Sequence, residues 1–224
     1  MDLQYSEPIV HKPKAKHTAT ILILHGLGDT GHGWSDLALE YRQQLPHVKW
    51  IFPNAPTRKI TVNMGLKMPG WYDIVSFDKI NGMEDEQGIK ESSRYIQSLI
   101  AEEVKAGIPA KRVLVCGFSQ GGVMALMALR EPVEVGGILG LSSYLPLHMA
   151  PTIVAPENKD TKVLMCHGTA DPVVKYEYGQ ISVEKLKAAG AKVDFKSYPG
   201  IGHSVCPEEM FEVAAFWMTC VGTA

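Results

Sequence analysis

Apolar residues fall along the chain in two patterns. Runs rich in aliphatic and β-branched residues, most of them continuous, recur at residues 20–24, 48–52, 112–116, 137–141, 162–166 and 192–198. A strand with one wet face would alternate apolar and polar positions. Continuous runs belong instead to strands covered on both faces, as in a largely parallel sheet between two helical layers. Ile9 and Val10 add a short edge strand ahead of the first run. Between the runs, residues 35–45, 85–104, 121–130, 176–189 and 207–221 read as helices. The clearest spans 85–104, where Ile89, Ile96, Leu99, Ile100 and Val104 share a face. Glu84, Asp85 and Glu86 cluster at its start, where the helix dipole favours acids, and so read as a solvated helix terminus rather than a metal site. This β-α alternation predicts an α/β fold with helices on both faces of a mostly parallel sheet, as one domain over residues 1–224. One long stretch, residues 53–83, reads as irregular, and it is too apolar for a disordered segment. Loops of that length in a folded domain usually carry function.

At residues 117–121 the chain reads Gly-Phe-Ser-Gln-Gly, between a strand-like run and a helix-like one. A G-x-S-x-G motif in that setting forces a sharp turn that projects the serine hydroxyl at the carboxyl end of the sheet. A serine needs a base and a group to orient that base, in the chain order Ser, Asp or Glu, His. Asp171 in "HGTADPVV" and His203 in "YPGIGHS" each follow a predicted strand, and ligand sites in open α/β sheets form at those ends. Ser119, Asp171 and His203 are therefore the predicted catalytic residues. His25 and His167 precede glycines at strand ends and read as structural. Cys206, close to His203, lacks the strand-turn-helix setting of a nucleophile.

The first predicted parallel strand runs into "LHGLGDTGHGW", where Gly26, Gly28 and Gly31 match the spacing of a dinucleotide loop. A nucleotide site would place an acid about 20 residues further on for the ribose, but the second strand ends "WIFPNAP". A hydrolase uses such a loop differently: it supplies one main-chain N–H to the oxyanion, the other coming from the residue after the nucleophile. Leu27 and Gln120 are the predicted donors. Leu66, Met68 and Trp71 of the long loop, with Leu145 and Pro146, are candidate walls for an acyl chain, or alternatively domain packing.

Composition narrows the partners. With 22 basic and 24 acidic residues the formal charge is −2, and only the loose "KPKAK" at 12–16 is basic, so nucleic acid is not an expected partner. Cys116, Cys166, Cys206 and Cys220 lack metal-ligand or disulfide spacing, and no metal or organic cofactor is called for. There is no signal-peptide pattern and no run long enough to span a bilayer, so a cytoplasmic protein with at most peripheral membrane contact is expected.

Taken together, "LHGLGDTGHGW", "NMGLKMPGWYDI", "EDEQGIKESS", "GFSQGG", "HGTADPVV" and "GHS" resemble the acyl-protein thioesterase and small carboxylesterase group of α/β hydrolases, in the same order and over residues 9–217. The resemblance implies the α/β-hydrolase fold without a large lid domain, a triad at Ser119, Asp171 and His203, oxyanion donors at Leu27 and Gln120, and release of long acyl chains such as palmitoyl from protein cysteine thioesters. It also implies hydrolysis of lysophospholipids or small esters, so that acylated proteins or small acyl esters are the expected partners of a monomer or weak homodimer. A general carboxylesterase, and a catalytically retired binding module, are the alternatives. Asp2 replaces the amino-terminal cysteine of members that are themselves palmitoylated.

Overall fold

A computed structural model describes residues 4–76 and 84–222. Seven strands form one sheet in the order β1-β3-β2-β6-β7-β8-β9: β1 (Ile9–His11), β2 (Ala19–Leu24), β3 (Val48–Phe52), β6 (Val113–Phe118), β7 (Gly137–Leu141), β8 (Lys162–Gly168) and β9 (Lys192–Tyr198). Edge strand β1 runs antiparallel to β3 and all other pairings are parallel. Every residue of β2 and β7 is buried, as the continuous apolar runs require.

The helices are α1 (His32–Tyr41), α2 (Glu86–Lys105), α3 (Gln120–Met127), α4 (Tyr176–Ala188) and α5 (Pro207–Val221). Successive strand residues face opposite layers. Leu22, Leu24, Val113 and Val115 join Ile89, Ile96, Val123 and Leu186 in one cluster, which brings in α2, α3 and α4. Ile21, Ile23, Leu114 and Cys116 pack with Ala38, Val213 and Trp217 of α1 and α5 on the other face. The protein thus has the α/β-hydrolase layering, with helices on both sides of a mostly parallel sheet.

Two helices end earlier than periodicity predicts, and each stops a few residues ahead of a proline that bars further extension. The α1 helix stops at Tyr41 instead of reaching residue 45, and α3 gives way to a 3-10 turn at Ala128–Arg130. Leu45 and Glu131 each precede a proline, whose ring disfavours helical backbone in the residue before it.

The stretch at 53–83 corrects the sequence reading. Its first part is an antiparallel hairpin of β4 (Thr57–Ile60) and β5 (Leu66–Pro69), turned through Met64 and Gly65 at positive φ. Short strands outside the main sheet carry little apolar periodicity, so the pattern could not reveal them. After the hairpin, Ile74 pairs with Glu84. Residues 77–83 lie outside the described residues, as do both chain ends, Asp2 included.

Candidate active site

Strand β6 ends at Phe118 and α3 begins at Gln120, so Ser119 alone makes the turn. Its backbone sits at φ 52°, ψ −120°, a region side-chain-bearing residues rarely adopt. Such strain persists only where surrounding contacts dictate it. The Ser119 N–H donates to the Leu141 carbonyl at 2.8 Å, while the Ser119 carbonyl accepts from Val123 N–H at 3.0 Å. Gly121 permits the tight approach of α3 to β2: a Cβ there would stand 2.1 Å from the Leu24 carbonyl oxygen.

Asp171 and His203 lie on loops following β8 and β9, and main-chain bonds lace the two loops together. Thr169 N–H donates to the Tyr198 carbonyl and Ala170 N–H to the Ile201 carbonyl, both at 3.0 Å. Gly168 makes this contact possible, because a Cβ at that position would sit 2.2 Å from the Ile201 oxygen. The result is a continuous chain of polar contacts. His203 Nδ1 stands 2.7 Å from Asp171 Oδ2, and His203 Nε2 stands 2.9 Å from Ser119 Oγ.

Asp171 is 6% exposed. Its Oδ1 accepts the N–H groups of Val173 at 2.8 Å and Val174 at 2.9 Å. Burial alone would raise its pKa, but the approach of His167, the hydrogen bond and charge of His203 and the Val173 N–H outweigh burial and hold it below the ordinary aspartate value. An anionic Asp171 fixes the proton of His203 on Nδ1 and leaves Nε2 free to accept the serine proton.

His25 and His167 have structural partners. His25 contacts the Gly26 carbonyl at 2.7 Å through Nδ1 and accepts the Ala55 N–H at 3.0 Å through Nε2. His167 Nε2 lies 2.8 Å from the Val174 carbonyl oxygen, behind Asp171. Cys206 is buried at the start of α5, and burial pushes its thiol above the ordinary cysteine value, away from thiolate chemistry.

Leu27 lies on the loop after β2 and Gln120 at the first turn of α3, and neither main-chain N–H donates to an acceptor among the described residues. The Gln120 side chain has a role that the sequence reading missed. Buried at 2% exposure, it accepts the Trp71 N–H through Oε1 and donates to the Tyr72 carbonyl through Nε2, each at 2.7 Å. Trp71 in turn donates from Nε1 to the His25 carbonyl at 2.9 Å, and its own carbonyl accepts from Ser92 Oγ. The strand-loop segment after the hairpin is thereby bolted to the nucleophile turn. No local pattern announces a contact between residues 49 apart.

Only part of the candidate acyl wall is open. Trp71 and Leu145 are 0% and 1% exposed, and Pro146 is buried, so these three pack the domain and offer no surface to a chain. Leu66 is 58% exposed on the hairpin, with Met68 half-buried beside Gly28. Two cavities meet at Ser119 instead. One is a narrow crevice bounded by Tyr72, Ile74, Val75, Tyr144 and Val174, with Glu84 also on its wall and the Tyr72 and Tyr144 hydroxyls 2.9 Å apart. The other, a groove of about 390 Å³, is bounded by Leu27, Asp29, Trp34, Ile74, Phe118 and Val173 and contains the His203 ring. Among the described residues no group of three or more His, Cys, Asp or Glu could hold a metal ion, and no helix is long and apolar enough to cross a membrane.

With this geometry in view, the family model described as Phospholipase/Carboxylesterase matches residues 5–221. The chain belongs to the phospholipase/carboxylesterase family. Members similar to it include acyl-protein thioesterase 1 of Neurospora crassa, 46% identical over 93% of this chain and 89% of that relative. Acyl-protein thioesterase 1 of Mycosarcoma maydis is 46% identical over 90% of both chains. Among solved structures, Zea mays acyl-protein thioesterase 2 superposes with a TM-score of 0.85 at 34% identity, covering 97% of this chain and 100% of that one. Arabidopsis thaliana SOBER1 gives 0.86 at 33% identity, covering 91% and 99%. The family is one of serine hydrolases, and this chain is an enzyme of that kind.

Proposed function

We propose that the protein is a serine hydrolase that releases long-chain acyl groups, palmitoyl among them, from cysteine thioesters on proteins. The observation that carries this reading is the continuous Ser119–His203–Asp171 contact, 2.9 Å and 2.7 Å long, at the bottom of two converging cavities. The acyl-protein thioesterases among its relatives supply the substrate class.

In this mechanism His203 Nε2 takes the Ser119 proton as Oγ attacks the acyl carbonyl, and Asp171 holds the imidazole in the required tautomer and stabilises its cation. The free N–H groups of Leu27 and Gln120 receive the developing oxyanion; one such donor is typically worth on the order of 3 kcal/mol in the transition state. His203 then returns the proton to the leaving sulfur, which departs readily because a thiol has a pKa of about 8.5. Water, activated by the same imidazole, releases the acid from the acyl-serine.

Volume distinguishes the two cavities. The crevice bounded by Ile74, Val75 and Val174 has only about 30 Å³ of open space, too little for a long chain. The groove of about 390 Å³ walled by Leu27, Trp34, Ile74, Phe118 and Val173 then takes the acyl side, and at about 0.8 kcal/mol per buried methylene its apolar walls dominate chain recognition.

Matched thioesters and oxygen esters of increasing chain length test the proposal. Efficiency should rise with chain length on S-acylated peptides. A steady fall beyond butyrate, with no action on palmitoylated peptides, would assign the protein to small-ester hydrolysis instead.

A further inference from the structure

Asp171 stands on a loop, and a loop side chain keeps one orientation only when something more rigid fixes it. His167 is the penultimate residue of β8, paired in register with Ser197 of β9. Its side chain and that of Asp171 are both fully buried. His167 Nε2 lies 2.8 Å from the Val174 carbonyl oxygen, and a carbonyl only accepts, so the hydrogen sits on Nε2. The same nitrogen lies 3.5 Å from Asp171 Oδ2, the oxygen that faces His203 Nδ1 at 2.7 Å. Val174 closes the circuit, since its own N–H donates to Asp171 Oδ1 at 2.9 Å. One imidazole N–H on a strand thus grips the loop by its carbonyl and borders the carboxylate that the loop carries.

Two features disfavour an imidazole at this place. Nδ1 is buried with no hydrogen-bond partner among the described residues, and an orphaned polar atom destabilises the fold. Helix α4 carries Gly179 where a Cβ would stand 2.6 Å from that Nδ1, and glycine weakens a helix interior relative to alanine. Leucine at 167 with alanine at 179 would fill much of the same space with neither drawback. What leucine could not supply is the Nε2–H. We propose that His167 is a positioning residue of the relay, its Nε2–H anchored on Val174 so that Asp171 Oδ2 stays aimed at His203. The inference rests on the serine-hydrolase reading of Ser119, His203 and Asp171, whichever acyl group is removed.

Steady-state kinetics on a soluble ester tests it, with near-UV circular dichroism to confirm that each variant is folded. His167→Leu should lower kcat by about 10- to 100-fold with KM nearly unchanged, the loss expected of a misplaced catalytic group. His167→Gln, whose amide N–H can reach the same carbonyl, should restore most of it. In an Asp171→Asn background His167→Leu should cost less than about twofold, because a residue that acts through Asp171 has nothing left to position. If His167→Leu does not fold, Gly179→Ala takes its place, pressing the ring from α4, with the same loss of kcat and the same disappearance of that loss in Asp171→Asn. Full kcat in His167→Leu, no rescue by His167→Gln, or equal losses with and without Asp171→Asn would overturn the inference and leave the relay standing. Full activity in Asp171→Asn itself would overturn both.

Discussion

Ser119 reaches its position only because its own backbone is held at positive φ, with the hydroxyl 2.9 Å from an imidazole supplied by a segment 84 residues away. Replacing Ser119 with Ala should abolish labelling by a fluorophosphonate and lower kcat by about 10⁶-fold, as loss of the nucleophile does in other serine hydrolases. Asp171→Asn should preserve the shape of the site but leave the wrong histidine tautomer, lowering kcat by about 10⁴-fold, with KM nearly unchanged. Steady-state kinetics on a soluble ester checks both. The motif around Ser119 was legible because the turn dictates its own local residues, glycines included. Asp171 and His203 were legible by their order and by their place after strands. The bonds of the Gln120 side chain were not, since they depend on what stands opposite them.

At the scale of elements, the nucleophile turn and the segment after the β4–β5 hairpin form one mechanical unit through Gln120, Trp71 and Tyr72. Gln120→Leu keeps the main-chain N–H proposed for the oxyanion but strands a buried donor and a buried acceptor. Each orphaned group costs about 1–3 kcal/mol, so urea denaturation should show a loss of at least that size. Kinetics should report a drop in efficiency as well, because Gln120 and Tyr72 both border the crevice that reaches Ser119. Gly121→Ala is expected to be more damaging still, since the added methyl meets the Leu24 carbonyl of the central strand β2 and neither backbone can retreat; soluble yield and thermal melting would show it. Main-sheet strands and helices announced themselves through periodicity, whereas the hairpin did not, being stabilised by its own pairing and by contacts such as Gly28 N–H to the Pro69 carbonyl at 2.8 Å.

For the molecule as a whole, two carboxyls set a dependence of stability on pH. Burial raises Glu84 on the crevice and fully buried Glu209 on α5 from 4.5 to about 7. Hydrogen bonds from the Leu147 N–H to Glu84 offset that only partly, and neither carboxylate oxygen of Glu209 has a hydrogen-bond partner among the described residues. Between pH 4.5 and 7 the folded protein therefore holds protons that the unfolded chain has released, and stability falls as pH rises through that window. Asp171 acts in the opposite sense at lower pH: its depressed value stabilises the fold above the ordinary aspartate range, and that contribution is lost on further acidification. Thermal melts of Glu209→Gln across pH 4.5–7 should be flatter than those of the wild type; an unchanged slope would remove Glu209 from the account.

Patterns that act over a few residues were settled by the amino-acid order itself: which runs are buried on both faces, where a serine must sit on a strained turn, and which loops follow strand ends. Hydrophobic burial and backbone sterics operate locally enough to leave such a record. Folding alone decided which cavity faces the imidazole and that Trp71 and Leu145 lie inside the packing. Those outcomes depend on distances between side chains far apart in sequence, and a linear pattern carries no information about a distance until the sheet has brought its strands together.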